Sequence, residues 1–379
     1  MDYAYLSPEI HESYRKMEQQ QHNYCVILAG GRGRRLWPSS RHDCPKQFVD
    51  FFGTGRTQLQ VTYDRMVRII HPENIYVCTC AEFRHLVCQQ LPDVLPEHIL
   101  VEPVNRNTAP SVAWAGWRIH RNGDDGRIIV VPSDQFVVDV EAFCKSALEG
   151  LDFVGSHDLV LTMGVRPSRP EPGYGYIQIG ESTPTAGISR VRSFAEKPER
   201  EFAQIFMDSG EFLWNTGIFL FNVCYLRTFF LNVFQDMGRR FADLDMNISP
   251  EEEEHFVMEY YPSYPNVSID KAALELSGNV YVAQYSFGWA DFGTWHSIYE
   301  YMQKHEGDNV VIDSEVILED CANNIVKLPH GHIGVINGLD GYIVAEQGDV
   351  LLICKKGDSS ALIRKYVNEV GLKYKEEFV

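Results

Sequence analysis

Tyr24-Cys25-Val26-Ile27-Leu28-Ala29 runs directly into Gly30-Gly31-Arg32-Gly33-Arg34-Arg35-Leu36-Trp37-Pro38, and Cys44-Pro45-Lys46-Gln47-Phe48 follows. The apolar run reads as a buried strand, and the glycines after it let the backbone turn tightly and approach a ligand. Between Gly30 and Lys46 lie Arg32, Arg34, Arg35, Arg41 and Lys46, opposed only by Asp43. In a chain of formal charge −18, such a concentration of cations points to phosphate.

The glycine loop is only moderately specific. It lacks the last glycine of the dinucleotide fingerprint and the Gly-Lys-Ser/Thr of the P-loop, so neither of those readings fits. Taken alone it could be a solvated arginine turn.

Strand-like and helix-like segments alternate outward from it. IYVCT (75–79), ILV (99–101), RIIVV (127–131) and LVLTM (159–163) are short and β-rich. Between them Leu59, Tyr63, Met66, Val67 and Ile70 share one helical face, with Thr57 a plausible N-cap. AEFRHLVCQQL (81–91) and TAPSVAWAGWRIH (108–120) read as further helices, the second capped by Thr108. The alternation predicts an α/β fold, Rossmann-like, with a mainly parallel sheet flanked by helices. Ligands of such sheets sit beyond the carboxyl ends of the strands, where this loop lies.

With 379 residues the chain can bury a large domain and a smaller one. Its acidic balance argues against nucleic acid or an anionic membrane as partner, and no apolar run is long enough for a membrane span. Residues 1–22 form a polar extension without the pattern of a secretory signal, so a cytoplasmic location is expected. The nine cysteines show no metal-site spacing, which suits reduced thiols; Cys78 and Cys80 read as packing residues.

The middle of the chain changes character. GYGYIQIG (173–180) and ISRVRSFAEKP (188–198) look like an antiparallel pair, and FLWNTGIFLFN (212–222) like a further strand before helices through 260. After about 305 short β-runs dominate, closed by a helix in ALIRKYVNEVGLKY. The expected organisation is therefore an extension (1–22), an α/β domain (23–305) and a small β-rich C-terminal domain (306–379), possible in β-helix-like form. Its short runs could stack across a partner, so a homodimer is a possible assembly.

Several short segments could carry chemistry. Asp134, just past the strand ending in Val130-Val131-Pro132-Ser133, suits a Mg²⁺ ion that also touches phosphate. Asp291, in Gly288-Trp289-Ala290-Asp291-Phe292-Gly293, would be a second carboxylate for the same ion. Either aspartate could equally be a cap or turn residue. Glu102-Pro103-Val104-Asn105-Arg106-Asn107-Thr108 joins a strand to a helix and could read a base and ribose, or simply cap the helix. Glu196-Lys197 is either a functional acid–cation pair or an exposed ion pair. Asn215 could bond sugar hydroxyls or serve a turn. His330-Gly331-His332 lacks a third ligand nearby and reads as an exposed turn.

Together these segments resemble the sugar-nucleotide pyrophosphorylase family, specifically its bacterial mannose-1-phosphate guanylyltransferase branch. AGGRGRRLWPSSR, PKQF, EPVNRNTAP, PSD, GYGYI, EKP, WNTGIF, SID and GWADFGTW follow in the family's order across roughly residues 24–305. The resemblance implies the nucleotidyltransferase fold and a reaction of GTP with mannose 1-phosphate that gives GDP-mannose and diphosphate, assisted by Mg²⁺. It assigns Arg35 and Lys46 to catalysis at the α-phosphate and the leaving group. It places the nucleotide at Ala29, Gly30, Gly31, Arg32, Gly33 and Arg34, with Arg106, Asn107 and Ser133 nearby. Gly175, Glu196, Lys197 and Asn215 would take the sugar phosphate, and Asp134 and Asp291 the metal. One departure stands out: Gln135 occupies the position where the family usually carries histidine. The cupin-type isomerase domain of longer relatives is not expected here. Another nucleotide or sugar, or a non-catalytic nucleotide-sugar sensor, remains an alternative.

Overall fold

Asn23–Leu28 is a strand buried almost throughout, paired in parallel with Ile75–Cys80 on one side and Arg127–Pro132 on the other. These sit in a nine-stranded sheet. In spatial order its strands are Ile99–Glu102, Ile75–Cys80, Asn23–Leu28, Arg127–Pro132, Phe212–Asn222, Val160–Val165, Val280–Tyr285, Ile188–Glu196 and Gly175–Ser182. The computed structural model describes residues 22–121, 123, 126–357, 359–374 and 376–379. The expected polar extension therefore lies, apart from His22, outside the described residues.

The sheet is mixed rather than mainly parallel. The first four strands run parallel, as does the pair Val160–Val165 and Val280–Tyr285. Phe212–Asn222 lies antiparallel to both of its main neighbours, and the Gly175–Ser182/Ile188–Glu196 hairpin adds further antiparallel ladders. An apolar run buried on both faces reads the same in either direction, so its sequence does not disclose strand polarity.

The helices form where apolar spacing and caps coincide. Thr108–His120 buries Val112, Trp114, Trp117 and Ile119. Its cap is Asn107 rather than the expected Thr108: Asn107 Oδ1 accepts from Thr108 N at 3.0 Å, while the Thr108 hydroxyl accepts instead from Ile269 N at 2.8 Å. A capping box of Ser249 and Glu252 opens Pro250–Tyr260. Glu253 on that helix is buried and accepts from Trp114 Nε1 and Arg118 Nε, so its charge is paired within the core.

The chain groups into two compact units. Among the described residues, one comprises 22–28, 63–132 and 137–289; the other comprises 29–62, 133–136 and 290–379. A single cut near residue 305 does not reproduce this grouping. The reason is a shared core in which Leu36, Trp37, Phe51, Phe292 and Trp295 pack with Val310, Ile312, Ile343 and Ile363. Backbone-directed bonds add to it: Trp295 Nε1 donates to Trp37 O, Trp37 Nε1 to Phe378 O, and His42 N to Val379 O.

Within this second unit Val310–Ile312, Ile325–Lys327 and Tyr342–Gln347 stack in parallel, and Glu315–Glu319 stacks in parallel on Ile333–Asn337. Val350–Lys355 pairs antiparallel with Tyr342–Gln347, and the helix Ser359–Lys373 follows. The short strands thus repeat as rungs, separated by turns that include Gly331, Gly338 and Gly341 at positive φ.

Candidate functional site

The glycine-rich loop of the second unit is held by the motif that follows it. Gln47 Nε2 donates to Ala29 O at 3.1 Å and to Gly31 O at 2.7 Å. Ser40 Oγ accepts from Lys46 N at 3.0 Å. Gly33 has φ +56°, and a Cβ there would lie 2.8 Å from Lys46 Cγ and 2.9 Å from Ser40 Oγ. Glycine is therefore required at this position on two counts, backbone conformation and space. Gly31, Arg32 and Arg34 are exposed. Gln47 and Ser40 carry no marking of their own in the sequence, although both sit inside motifs that do.

Lys46 is the centre of the charged cluster. Its Nζ lies 2.5 Å from Asp134 Oδ2 and 3.8 Å from Asp291 Oδ1. Burial by itself would lower the Lys46 pKa, but Asp134 and then Asp291 outweigh it despite the opposing Arg35, and the net shift is upward. Arg35 stands beside Asp291: a Cβ on Gly293 would meet Arg35 Nη2 at 3.0 Å and Asp291 Oδ2 at 3.1 Å. Four residues named from distant stretches, Arg35, Lys46, Asp134 and Asp291, thus converge. An apolar cavity of about 250 Å³ flanks Asp134, lined among others by Phe51, Phe52, Gln135, Phe136 and Phe292. Such a wall limits screening by water and strengthens charge interactions beside it. Ser133 is buried, and its carbonyl accepts from Thr62 Oγ1 at 3.2 Å.

Two carboxylates meeting at one point match the donors Mg²⁺ takes from protein when substrate phosphates complete its shell. No cluster of three or more ligand side chains occurs among the described residues. His330 and His332 are exposed, and His332 Nδ1 lies 3.2 Å from Glu346 Oε1. All nine cysteines are free, and burial pushes the Cys25 and Cys78 thiols well above their usual range.

The first unit carries a second polar cluster at one end of its sheet. Gly175 and Glu196 are register partners, and a Cβ on Gly175 would strike Phe194 at 2.7 Å and Glu196 Oε2 at 3.0 Å. Lys197 has φ +47°, and its ammonium pairs with Glu196 Oε1 on a half-exposed surface. Asn215 is held at both ends: its Oδ1 accepts from Gly217 N at 3.1 Å, and its Nδ2 donates to Asp270 Oδ1 at 2.7 Å. Asp270 is visible in the sequence only as the last letter of SID. No local spacing links residues 215 and 270; the fold alone joins them.

The strand-to-helix segment of this unit is tied to a distant stretch of the chain. Arg106 Nη2 donates to Pro262 O, which makes its guanidinium a brace for that segment. Asn107 adopts φ 64° and ψ −162°, a region nearly restricted to glycine, and it is exposed. Behind it, Glu102 is buried and accepts from Ser111 Oγ at 2.5 Å. Burial raises the Glu102 pKa to about 7, against the lowering effect of hydrogen bonds from Ser111 and Tyr261.

Comparison with known proteins supplies the context. Residues 24–307 match the family described as Nucleotidyl transferase. The chain is 34% identical over 342 residues to the xanthan biosynthesis protein XanB of Xanthomonas campestris pv. campestris, covering 86% of this chain and 69% of that protein. It is 31% identical over 368 residues to a mannose-1-phosphate guanylyltransferase of Salmonella montevideo, covering 93% and 75%. A solved structure from Thermus thermophilus, described as a mannose-1-phosphate geranyltransferase, superposes with a TM-score of 0.81 at 28% identity, covering 92% of this chain and 99% of that one. An α/β sheet preceding an arginine-rich glycine loop, a β-rich C-terminal region and this family match over most of the length lead to one conclusion: the chain is a member of the nucleotidyl transferase family.

Proposed function

We infer that this protein is a mannose-1-phosphate guanylyltransferase, joining α-D-mannose 1-phosphate to GTP with release of diphosphate. The observation that carries this reading is Lys46 flanked by Asp134 and Asp291 with Arg35 alongside. The relatives bearing that activity in their names support it.

A phosphate oxygen of the sugar 1-phosphate attacks the α-phosphorus of GTP. The new bond forms as the bond from the α-phosphorus to the bridging oxygen breaks, and diphosphate leaves with that electron pair. The nucleophile is already anionic near neutral pH, so no protein base is needed. The obstacle is the approach of two polyanions and the charge growing on diphosphate, which fixed cations relieve. Lys46, an ammonium at neutral pH, stabilises the α-phosphate and the departing group together with Arg35. The backbone N–H groups of Gly31 to Arg34 wrap the triphosphate. Asp134 and Asp291 would hold Mg²⁺, which when bound supplies divalent charge to phosphate oxygens. Lys197 binds the sugar phosphate, while Glu196, Asn215 and the Gly175 backbone line the sugar; Arg106, Asn107 and Ser133 belong with the nucleotide.

The expected setting is cytoplasmic, and no helix among the described residues is long and apolar enough to cross a membrane. A homodimer through the β-rich region is supported by exposed Ile317, Ile333 and Val335 on its paired strands. The deciding experiment measures diphosphate release from each NTP with a panel of sugar 1-phosphates, with Mg²⁺ and with EDTA. Turnover greatest for GTP with mannose 1-phosphate, abolished by EDTA, supports the reading. Preference for another pair, or binding of both substrates without diphosphate release, overturns it.

A further inference from the structure

The cluster around Asn215 contains a residue whose role goes beyond the assignments above. The Gly217 N–H can only donate, so it fixes the oxygen of the Asn215 amide on its own side. That leaves Nδ2 facing Asp270, where one of its two hydrogens is bonded at 2.7 Å. The other hydrogen has no partner among the described residues, and Asn215 is only half-buried, so this N–H is available to a ligand. Asp270 also lies within electrostatic reach of both Glu196 and Lys197. It thus touches or faces each of the other polar side chains of this cluster.

Asp270 is itself firmly placed. It belongs to a short turn whose N-cap, Ser268, accepts from Lys271 N at 3.1 Å. Ile269 N donates to Thr108 Oγ1 at 2.8 Å, and Ala109 N donates to Val267 O at 3.0 Å. The turn is thereby bonded to the N-terminus of the helix Thr108–His120, where Asn107 holds its unusual backbone conformation. A carboxylate mounted on so constrained a turn can hold an amide in one orientation; a surface carboxylate on a free loop could not.

We propose that Asp270 is the positioning residue for hexose 1-phosphate recognition, locking the Asn215 amide so that its remaining N–H points at a sugar hydroxyl. This rests on the guanylyltransferase reading, and it adds a residue that acts through Asn215 without touching the reacting phosphates. A merely structural role would make losses at Asp270 affect both substrates and the fold together. A positioning role confines them to the sugar.

The test uses the full chain with Mg²⁺ and compares wild type, Asp270→Ala, Asp270→Asn, Asn215→Ala and the Asn215→Ala/Asp270→Ala double variant. Readouts are KM for each substrate, calorimetric binding of mannose 1-phosphate, and thermal unfolding. Asp270→Ala should raise KM for mannose 1-phosphate by about tenfold or more, as expected for losing a hydrogen bond to a charged group, while KM for GTP changes less than about twofold. Asp270→Asn keeps a carbonyl acceptor for Asn215 and should recover most of the loss. The double variant should be no worse than Asn215→Ala alone, because both changes remove the same contact. With active wild type, unchanged sugar KM in Asp270→Ala, equal losses for both substrates, or additive losses in the double variant would each overturn the proposal. A wild type that releases no diphosphate from any substrate pair would instead bring down the functional reading, and this inference with it.

Discussion

Lys46 and Asp134 form an ion pair with Nζ and Oδ2 2.5 Å apart, both largely withdrawn from solvent. Breaking such a pair from one side leaves the other charge buried and uncompensated, a change typically costing about 3–5 kcal/mol. Here Asp291 is close as well, so removal of the ammonium leaves two carboxylates near one another. Lys46→Met should therefore lower kcat by roughly three or more orders of magnitude, as expected for losing a fixed cation at a developing anion. Single-turnover diphosphate release is the measurement, and an effect below about tenfold, near 1.4 kcal/mol, would remove Lys46 from contact with the reacting phosphates.

The loop glycine gives a sharper steric prediction. A methyl group at Gly33 would collide with the Lys46 stem and with Ser40 Oγ at a positive φ that alanine resists. Gly33→Ala should cut turnover at least about a hundredfold by displacing Lys46, whereas Gly31→Ala, where a Cβ meets nothing within 4 Å, should cost less than about tenfold. Equal effects at both positions would contradict the packing described for Lys46.

Truncation after residue 305 separates two views of the β-rich region. If it were an independent appendage, the remaining chain would keep its turnover. Instead, the deletion strips Val310, Ile312, Ile343 and Ile363 from the core that includes Trp37, Phe51 and Trp295. It also removes the Phe378 carbonyl to which Trp37 donates. The truncated protein should lose turnover and show rapid proteolytic cleavage between residues 29 and 57. Retention of wild-type kcat by this variant would show that the loop needs no support from the tail.

Glu102 imposes a pH dependence on stability whose sign follows from its raised pKa of about 7. Below its ordinary unfolded value near 4.3, both states are protonated and the group contributes nothing to the slope. Between there and about 7 the folded state retains a proton that the unfolded state has released, so stability falls as pH rises. Above 7 the penalty is complete. Glu102→Gln should therefore flatten the fall in Tm between about pH 5 and 7.5 relative to wild type, with little difference near pH 4. Parallel Tm curves for the two proteins would show that Glu102 titrates normally.

Much of the first unit was legible in the linear chain. Phe212–Asn222 and Thr108–His120 coincide with the stretches their composition marked, because apolar period and turn residues act locally. Arg35, Lys46, Asp134 and Asp291 were singled out together by the motifs that carry the family resemblance, whereas their residue types alone left each aspartate open as a cap or turn residue. Other features were not legible. Thr108 and Asn107 both suit an N-cap, and the choice fell to Asn107 only because Ile269 engages the Thr108 hydroxyl. The bond from Arg106 to the Pro262 carbonyl had no mark in the sequence, because 156 residues separate the two.

By itself the amino-acid order determined the strands, the helices, the phosphate-seeking loop and the chemical character of the residues gathered around it. These depend on interactions among neighbours within a few positions, where periodicity, glycine freedom and charge density leave direct marks. Only the tertiary structure decided the mixed polarity of the sheet, the sharing of one core between residues 29–62 and the C-terminal rungs, and the pairing of Asn215 with Asp270. Those outcomes depend on which distant apolar faces and polar groups meet when the chain closes on itself, and no local pattern encodes such a meeting.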